Sequence, residues 1–291
     1  MPDIRYFKPI FFTALALIAF AANSVLCRLA LGEKAIDAAG FTSIRLLSGA
    51  LVLLCILKSS GNTKTTAKGS WSASVLLFLY AVTFSFAYLT LSTGTGALIL
   101  FGSVQITMIL TSLFSGNRLL PIEWMGVATA FTGIVYLVLP GVTAPSFTGF
   151  SLMTSAGIAW GLYTLKGRNS AHPLSDTMYN FLRSVPFALV LVLFFVKNAH
   201  ISREGILLAV ISGGITSGIG YTLWYMALRR ISATQAAVVQ LSVPVIAGFG
   251  GIVFVSEQIS LRLTLSALLT LGGILMVIIG RNVKNAKTAP E

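Results

Sequence analysis

Apolar residues run along this chain in ten long blocks separated by short polar or Pro/Gly-containing stretches: residues 9–31, 38–57, 71–91, 94–115, 121–139, 147–166, 175–197, 204–228, 232–255 and 260–280. A spanning helix needs roughly 20 apolar residues, and the blocks supply them without the short alternating segments of a membrane β-barrel. The pattern predicts an all-α integral membrane protein with ten transmembrane helices. The first block follows Arg5 and Lys8 and contains a cleavage-like triplet, Ala19, Phe20 and Ala21, as a secretory signal does. Its apolar character continues through Leu31 and it has a partner in the second half, so it is read as a retained helix.

Composition removes the main rivals. Of 291 residues 56% are apolar and only 10% charged, far from the quarter charged of a soluble domain, and ten spans leave no length for one. The net charge of +12 would suggest nucleic acid in a soluble protein. Here it reads as topology, and no nucleic-acid partner is expected. With ten spans both termini share a face. That face collects Arg5, Lys8, Lys58, Lys64, Lys68, Arg118, Lys166, Arg168, Arg229, Arg230, Arg281, Lys284 and Lys287, which is 13 of the 20 basic residues, against Arg28, Lys34, Lys197, Arg203 and Arg262 on the other. The positive-inside rule then makes both termini cytoplasmic, in a cell inner (plasma) membrane. Arg45 and Arg183 fall inside spans 2 and 7. Snorkelling to the nearer interface is the default expectation and a gating or substrate-carboxylate role the rival, which the peripheral place of spans 2 and 7 disfavours. Cys27 and Cys55 fall on opposite sides of the bilayer, too far apart for a disulfide.

The chain also repeats itself. A shift of 140 pairs Ala19 with Ala159, Arg28 with Arg168, Leu119 with Ile259, Gly133 with Gly273, Ile134 with Ile274 and Leu137 with Val277. A shift of 138 pairs Arg45 with Arg183 and Ala50-Leu51-Val52 with Ala188-Leu189-Val190. Two units follow, residues 1–140 and 141–291, each of five spans. An odd number of spans makes the second copy enter the membrane from the other side, so the repeats are inverted. Inverted repeats are characteristic of secondary transporters, because two equivalent halves can exchange roles around a midplane site. An enzyme is disfavoured: the histidines are only His172 and His200, both in loops, all eight acids lie at or near span ends, and no phosphate loop or HExxH stretch occurs. No cofactor and no metal site are expected.

The segment Ala227-Leu-Arg-Arg-Ile-Ser-Ala-Thr-Gln-Ala-Ala, then Val243-Pro244-Val245 and Ser256-Glu257-Gln258-Ile259, resembles the C-terminal signature of EamA-type proteins in the drug/metabolite transporter superfamily. The resemblance covers essentially the whole chain, and the spacing from Pro244 to Glu257 is its most specific part. The first half departs from it, with Val104 and Asn117 where Pro and Glu would be expected. Within the family the chain looks most like the YddG-type exporters of aromatic amino acids. The resemblance implies ten helices in two inverted halves, and spans 1, 3, 4, 6, 8 and 9 around a central cavity.

Polar and aromatic groups inside the spans supply the site candidates, since polar groups in hydrocarbon are costly unless they face a cavity or one another. The substrate-binding candidates are Asn23, Tyr80, Phe84, Tyr88, Phe101, Gln105, Trp160, Tyr163, Trp224 and Gln240. Tyr80, Phe84 and Tyr88 form one helical stripe, and Asn23 aligns with Tyr163 across the repeat. Aromatic faces with a few amides and hydroxyls suit a flat apolar side chain on a zwitterionic backbone. Pro244 and Gly248 are the hinge candidates on span 9. The expected function is alternating-access export of amino acids, aromatic or large neutral, by a facilitator, because no mid-membrane carboxylate is present to carry a proton. The partners are a small-molecule substrate and the lipid bilayer, with monomer and homodimer both open. Export of other metabolites (threonine or homoserine, sugars, drugs) is the alternative within transport, and a membrane sensor or scaffold the alternative outside it.

Overall fold

The computed structural model describes residues 4–60, 69–116, 119–141, 144–168, 170–228 and 233–288. Asn117, Arg118 and the Arg229–Ser232 part of the C-terminal signature lie outside these. Ten helical elements cross back and forth: α1 Ile4–Gly32, α2 Ala38–Ser59, α3 Trp71–Ala87, α4 Thr93–Phe114, α5 Pro121–Val138, α6 Phe147–Gly167, α7 Pro173–Phe195, α8 Arg203–Leu228, α9 Ala233–Val255 and α10 Leu261–Thr288. The starts are chemically marked. Asp37, Ser70, Ser146 and Ser202 cap α2, α3, α6 and α8, each accepting the amide three residues on, while Pro121 and Pro173 open α5 and α7 where a missing N–H costs nothing.

Among the described residues eight helices are long and apolar enough to span a membrane. The two that fall short are α3, with 17 residues, and α6, which is rich in Gly, Ser and Thr. Their neighbours explain this. Both are packed inside the bundle, α3 on α6, so neither has to satisfy lipid all round. The outward surface is the reverse: Phe114, Phe194 and Phe254 are largely exposed, which in a membrane protein is contact with acyl chains.

The packing has a twofold pattern. α3 lies on α6 as α1 lies on α8, and α4 lies on α6 as α9 lies on α1, while α2 meets α7, α4 meets α9 and α5 meets α10. This is the arrangement of two five-helix copies in which counterparts either face each other or swap partners. The α5–α10 pair approaches closely because small residues face each other: a methyl on Gly126 would sit 2.5 Å from the Gly273 carbonyl oxygen, and one on Gly273 2.4 Å from the Ala130 nitrogen. The loop at Asp37, on the face opposite the termini, pairs with the α7–α8 connection: the Asp37 amide donates to the His200 carbonyl and the Asp37 carboxylate accepts from the His200 amide. On the terminal face Asp176 does the same, accepting the Gly69 amide from the α2–α3 connection at 2.8 Å.

Two elements depart from the regular helices expected over 204–228 and 232–255. In α8, Ser212–Ile219 is π-helical, a wider turn that inserts a residue and is frequent at functional sites. Gly213 is the contact point: a Cβ there would lie 2.0 Å from the Arg45 carbonyl oxygen, so α8 and α2 touch backbone to backbone. In α9 the helix breaks at Leu241, between Ala233–Gln240 and Ser242–Val255. Pro244 lacks the N–H that would bond the Gln240 carbonyl, and the break falls one residue after that orphaned acceptor. Pro186, by contrast, sits inside an uninterrupted α7.

Candidate functional site

At the centre of the bundle α1, α3, α4, α6 and the wide turn of α8 converge on a cavity of about 20 Å³, lined by Phe20, Asn23, Ser24, Tyr80, Phe84, Leu100, Phe101, Trp160, Thr216, Ser217 and Tyr221. It has room for about one water. Its walls are aromatic. Trp160 stacks on Tyr221 (centroids 4.9 Å apart, planes at 22°) and lies 4.8 Å from Tyr80 and 5.5 Å from Tyr163. The stripe on α3 is continuous, Tyr80 to Phe84 at 5.4 Å and Phe84 to Tyr88 at 4.9 Å.

One polar hub closes the wall. The Asn23 amide oxygen accepts from Ser212 Oγ at 2.6 Å and Thr216 Oγ1 at 3.2 Å, and its nitrogen donates to the Tyr80 hydroxyl at 3.5 Å. Asn23 thus ties α1 to α8 and α3 at once.

Arg45 corrects the expectation that it snorkels from a peripheral span. It is 2% exposed, with Nη2 donating to the Tyr80 hydroxyl at 2.9 Å and Nε to Ser217 Oγ at 3.4 Å. Its guanidinium lies over the Phe84 and Tyr80 rings, 4.9 and 5.2 Å from their centroids. The wide turn of α8 and the glycine at 213 draw α2 in, so that Arg45 points at the bundle centre instead of at lipid. Its repeat partner Arg183 is half-buried and lies over Trp71, near the terminal face.

The candidates from sequence divide accordingly. Asn23, Tyr80, Phe84, Phe101 and Trp160 line the cavity together. Tyr163 lines a second, larger space: a vestibule of about 370 Å³ on the terminal face, walled also by Ser70, Lys166, Asp176, Asn180 and Tyr225. Trp224 packs edge-on against Phe20 behind the wall. Tyr88 is fully buried toward the opposite face, its hydroxyl donating to the Thr93 carbonyl. Gln105 and Gln240 are buried but off the lining. Pro244 and Gly248 line an apolar groove of about 470 Å³ between α4, α9 and α10, where Gly248 crosses Gly94 in close backbone contact; none of the described side chains of α9 lines the central cavity. Phe20, Ser24, Ser217 and Tyr221 were missed, and sequence alone gives Arg45 snorkelling as its default role. Tyr221 was within reach, since it lies one turn before Trp224 and Tyr225 on α8.

The two faces of the bundle differ. On the opposite face Arg28 Nε meets Glu257 at 3.0 Å, Arg28 Nη1 donates to the Tyr88 carbonyl at 3.1 Å, and the second Glu257 oxygen accepts the Thr93 amide at 2.8 Å. This clasp joins α1, the α3–α4 corner and the end of α9, and Gly251 admits the carboxylate, since a Cβ there would lie 2.6 Å from it. By the repeat the matching pair would be Arg168 and position 117. Arg168 is exposed, and residue 117 is an asparagine outside the described residues. The described structure is therefore clasped on one face and hollowed on the other.

Comparison with known proteins agrees with this architecture. Residues 147–279 match the model of the EamA-like transporter family. The chain is 45% identical to the uncharacterized protein PA1977 of Pseudomonas aeruginosa over 97% of both chains. It is 24% identical to an uncharacterized transporter of Archaeoglobus fulgidus, covering 90% of this chain and 94% of that one, and 25% identical to the uncharacterized transporter YoaV of Bacillus subtilis, covering 81% and 85%. A solved crystal structure superposes with a TM-score of 0.63 over 91% of this chain and 98% of the other, at 18% identity, which speaks to the fold alone.

Proposed function

We propose that this chain, whose residues 147–279 match the EamA-like transporter family and whose relatives include uncharacterized transporters, is a membrane transporter of that family and not an enzyme, and that it works as an alternating-access exporter of amino acids with aromatic or large apolar side chains. The observation that carries this reading is the stacked aromatic cavity between the halves, with a closed clasp toward one face and a vestibule toward the other. The cavity has room for about one water in this closed arrangement, so the substrate enters as the halves part, and Tyr80, Phe84, Phe101, Trp160 and Tyr221 then hold its apolar body while Asn23 orients its polar end. Residues 1–140 and 141–291 act as the two repeat units, and the break before Pro244 with the Gly94–Gly248 crossing is where α9 bends as they rock.

The 13 to 5 division of basic residues supports a cytoplasmic terminal face in the cell's inner membrane. The vestibule at Tyr163 then opens inward, to the side from which an exporter loads. None of the described acids lines the cavity, which supports facilitated movement over proton coupling through a buried carboxylate. Counterflow in proteoliposomes tests the reading: preloaded L-phenylalanine or L-tryptophan should drive uptake of the labelled compound. A protein that exchanges sugars or small hydroxy amino acids and none of the large neutral ones would instead be the broader metabolite exporter.

A further inference from the structure

Among the described residues Arg45 is a buried cation without a counter-charge. Arg28–Glu257 is the ion pair formed among the described residues, and Arg45 Nη1 has no hydrogen-bond partner at all. A guanidinium cannot shed its charge to escape burial, and an uncompensated buried charge is costly. The Tyr80 and Phe84 faces offset part of that cost, but not a free N–H.

The groups around it share one polarity. The Tyr80 oxygen accepts N–H bonds from both Arg45 and Asn23, which leaves its O–H to donate. Ser217 Oγ likewise accepts from Arg45. Ser24 Oγ, on the cavity wall, has no partner. The strongest acceptor nearby, the Asn23 carbonyl oxygen, already takes Ser212 and Thr216. Tyr80, Phe84 and Ser217, the residues that hold the guanidinium, are themselves part of the cavity wall, so Arg45 stands directly behind it. The polar side of the cavity therefore offers donors and a positive charge, backed by stacked aromatic rings.

We propose that Arg45 is the anchor for a substrate carboxylate, with the Tyr80, Ser217 and Ser24 hydroxyls completing its shell, and that the carboxylate is the group this site selects, ahead of any ammonium. The proposal rests on the exporter reading of the cavity and names what that cavity recognises: an anionic carboxylate on a flat apolar body. When the site is empty Tyr80 caps the guanidinium; when it is filled the carboxylate takes the Nη1 position and receives the Tyr80 proton as a hydrogen bond.

The test uses the full chain in detergent and three probes of matched shape: 3-phenylpropanoate, its uncharged amide 3-phenylpropanamide, and L-phenylalanine. Calorimetric titration should show the two carboxylates binding and the amide at least roughly tenfold weaker, as expected for a charge-assisted bond. Arg45→Gln should bring the acid-to-amide ratio near one, and Arg45→Lys should keep part of it. If Arg45→Gln does not fold, Tyr80→Phe replaces it, removing one donor while keeping the ring, and should lower the acid-to-amide ratio. Equal binding of acid and amide by the wild type, no binding of either carboxylate, or an unchanged ratio in the variants would each overturn the proposal. Counterflow with the same compounds separates the two readings. Binding without exchange rejects the carrier and leaves the anchor, whereas exchange of amide as readily as acid rejects the anchor and leaves the carrier.

Discussion

Replacing Glu257 with glutamine tests how the closed face is held. The substitution keeps shape but removes the charge that Arg28 meets at 3.0 Å and the Thr93 amide meets at 2.8 Å. The pair is 24% and 15% exposed, sheltered enough that solvent screening does not erase it, and a hydrogen bond to a charged group is worth about 1.5–3 kcal/mol. Taking about 2 kcal/mol and assigning it to the clasped state alone, loss of the charge shifts the balance toward opening on that face by roughly 30-fold. The readout is a cysteine on the path. Ser24, on the cavity wall and 1% exposed, is replaced by Cys in a background where Cys27 and Cys55 are removed, and labelled with a membrane-impermeant maleimide from the face opposite the termini. Labelling of Ser24→Cys should rise about tenfold or more with Glu257→Gln, and Arg28→Gln should act alike. An unchanged labelling rate in folded protein would refute the reasoning, showing that packing and not the ion pair keeps this face shut.

Four further outcomes are expected. Gly213→Ala should lower the thermal stability of the detergent-purified protein by about 1–3 kcal/mol or prevent folding, because its methyl meets the Arg45 carbonyl at 2.0 Å; Gly272→Ala, with nothing within 4 Å, should be neutral or stabilising. Trp160→Ala, measured by competition in proteoliposomes, should weaken large apolar substrates roughly tenfold to a hundredfold and small ones little, since a buried ring contributes about 1.5–3 kcal/mol of contact. Uptake of a neutral zwitterion should proceed without an imposed pH gradient, and an absolute requirement for one would reject the facilitator mechanism. A C-terminal reporter active only outside the cytoplasm should stay silent, and a strong signal would invert the orientation drawn from the basic residues.

Ten helices, their starts and their order were legible in the sequence because the bilayer allows so few solutions. Every backbone group in lipid must bond within its own segment, so spanning stretches are long, apolar and sharply ended. The close approach of α5 and α10 was settled by the fold, which sets Gly126 and Gly133 against Gly273 and Thr270. Asn23, Tyr80, Phe84, Phe101 and Trp160 could be named because polar or aromatic groups in the middle of a span call for a cavity or a partner. Arg45 could not be. Its sequence context, two turns into an apolar span, is that of any snorkelling arginine, and what turned it inward was the approach of α8, made possible by Gly213 and the extra residue of the wide turn. A hydrophobicity pattern records whether a residue can tolerate lipid; it does not record which way the helix is rotated or which neighbour displaces the lipid. The same limit applied to α9, where Pro244 announced a bend but the crossing with Gly94 decided that it faces a lateral groove and leaves the central cavity to α1, α3, α4, α6 and α8.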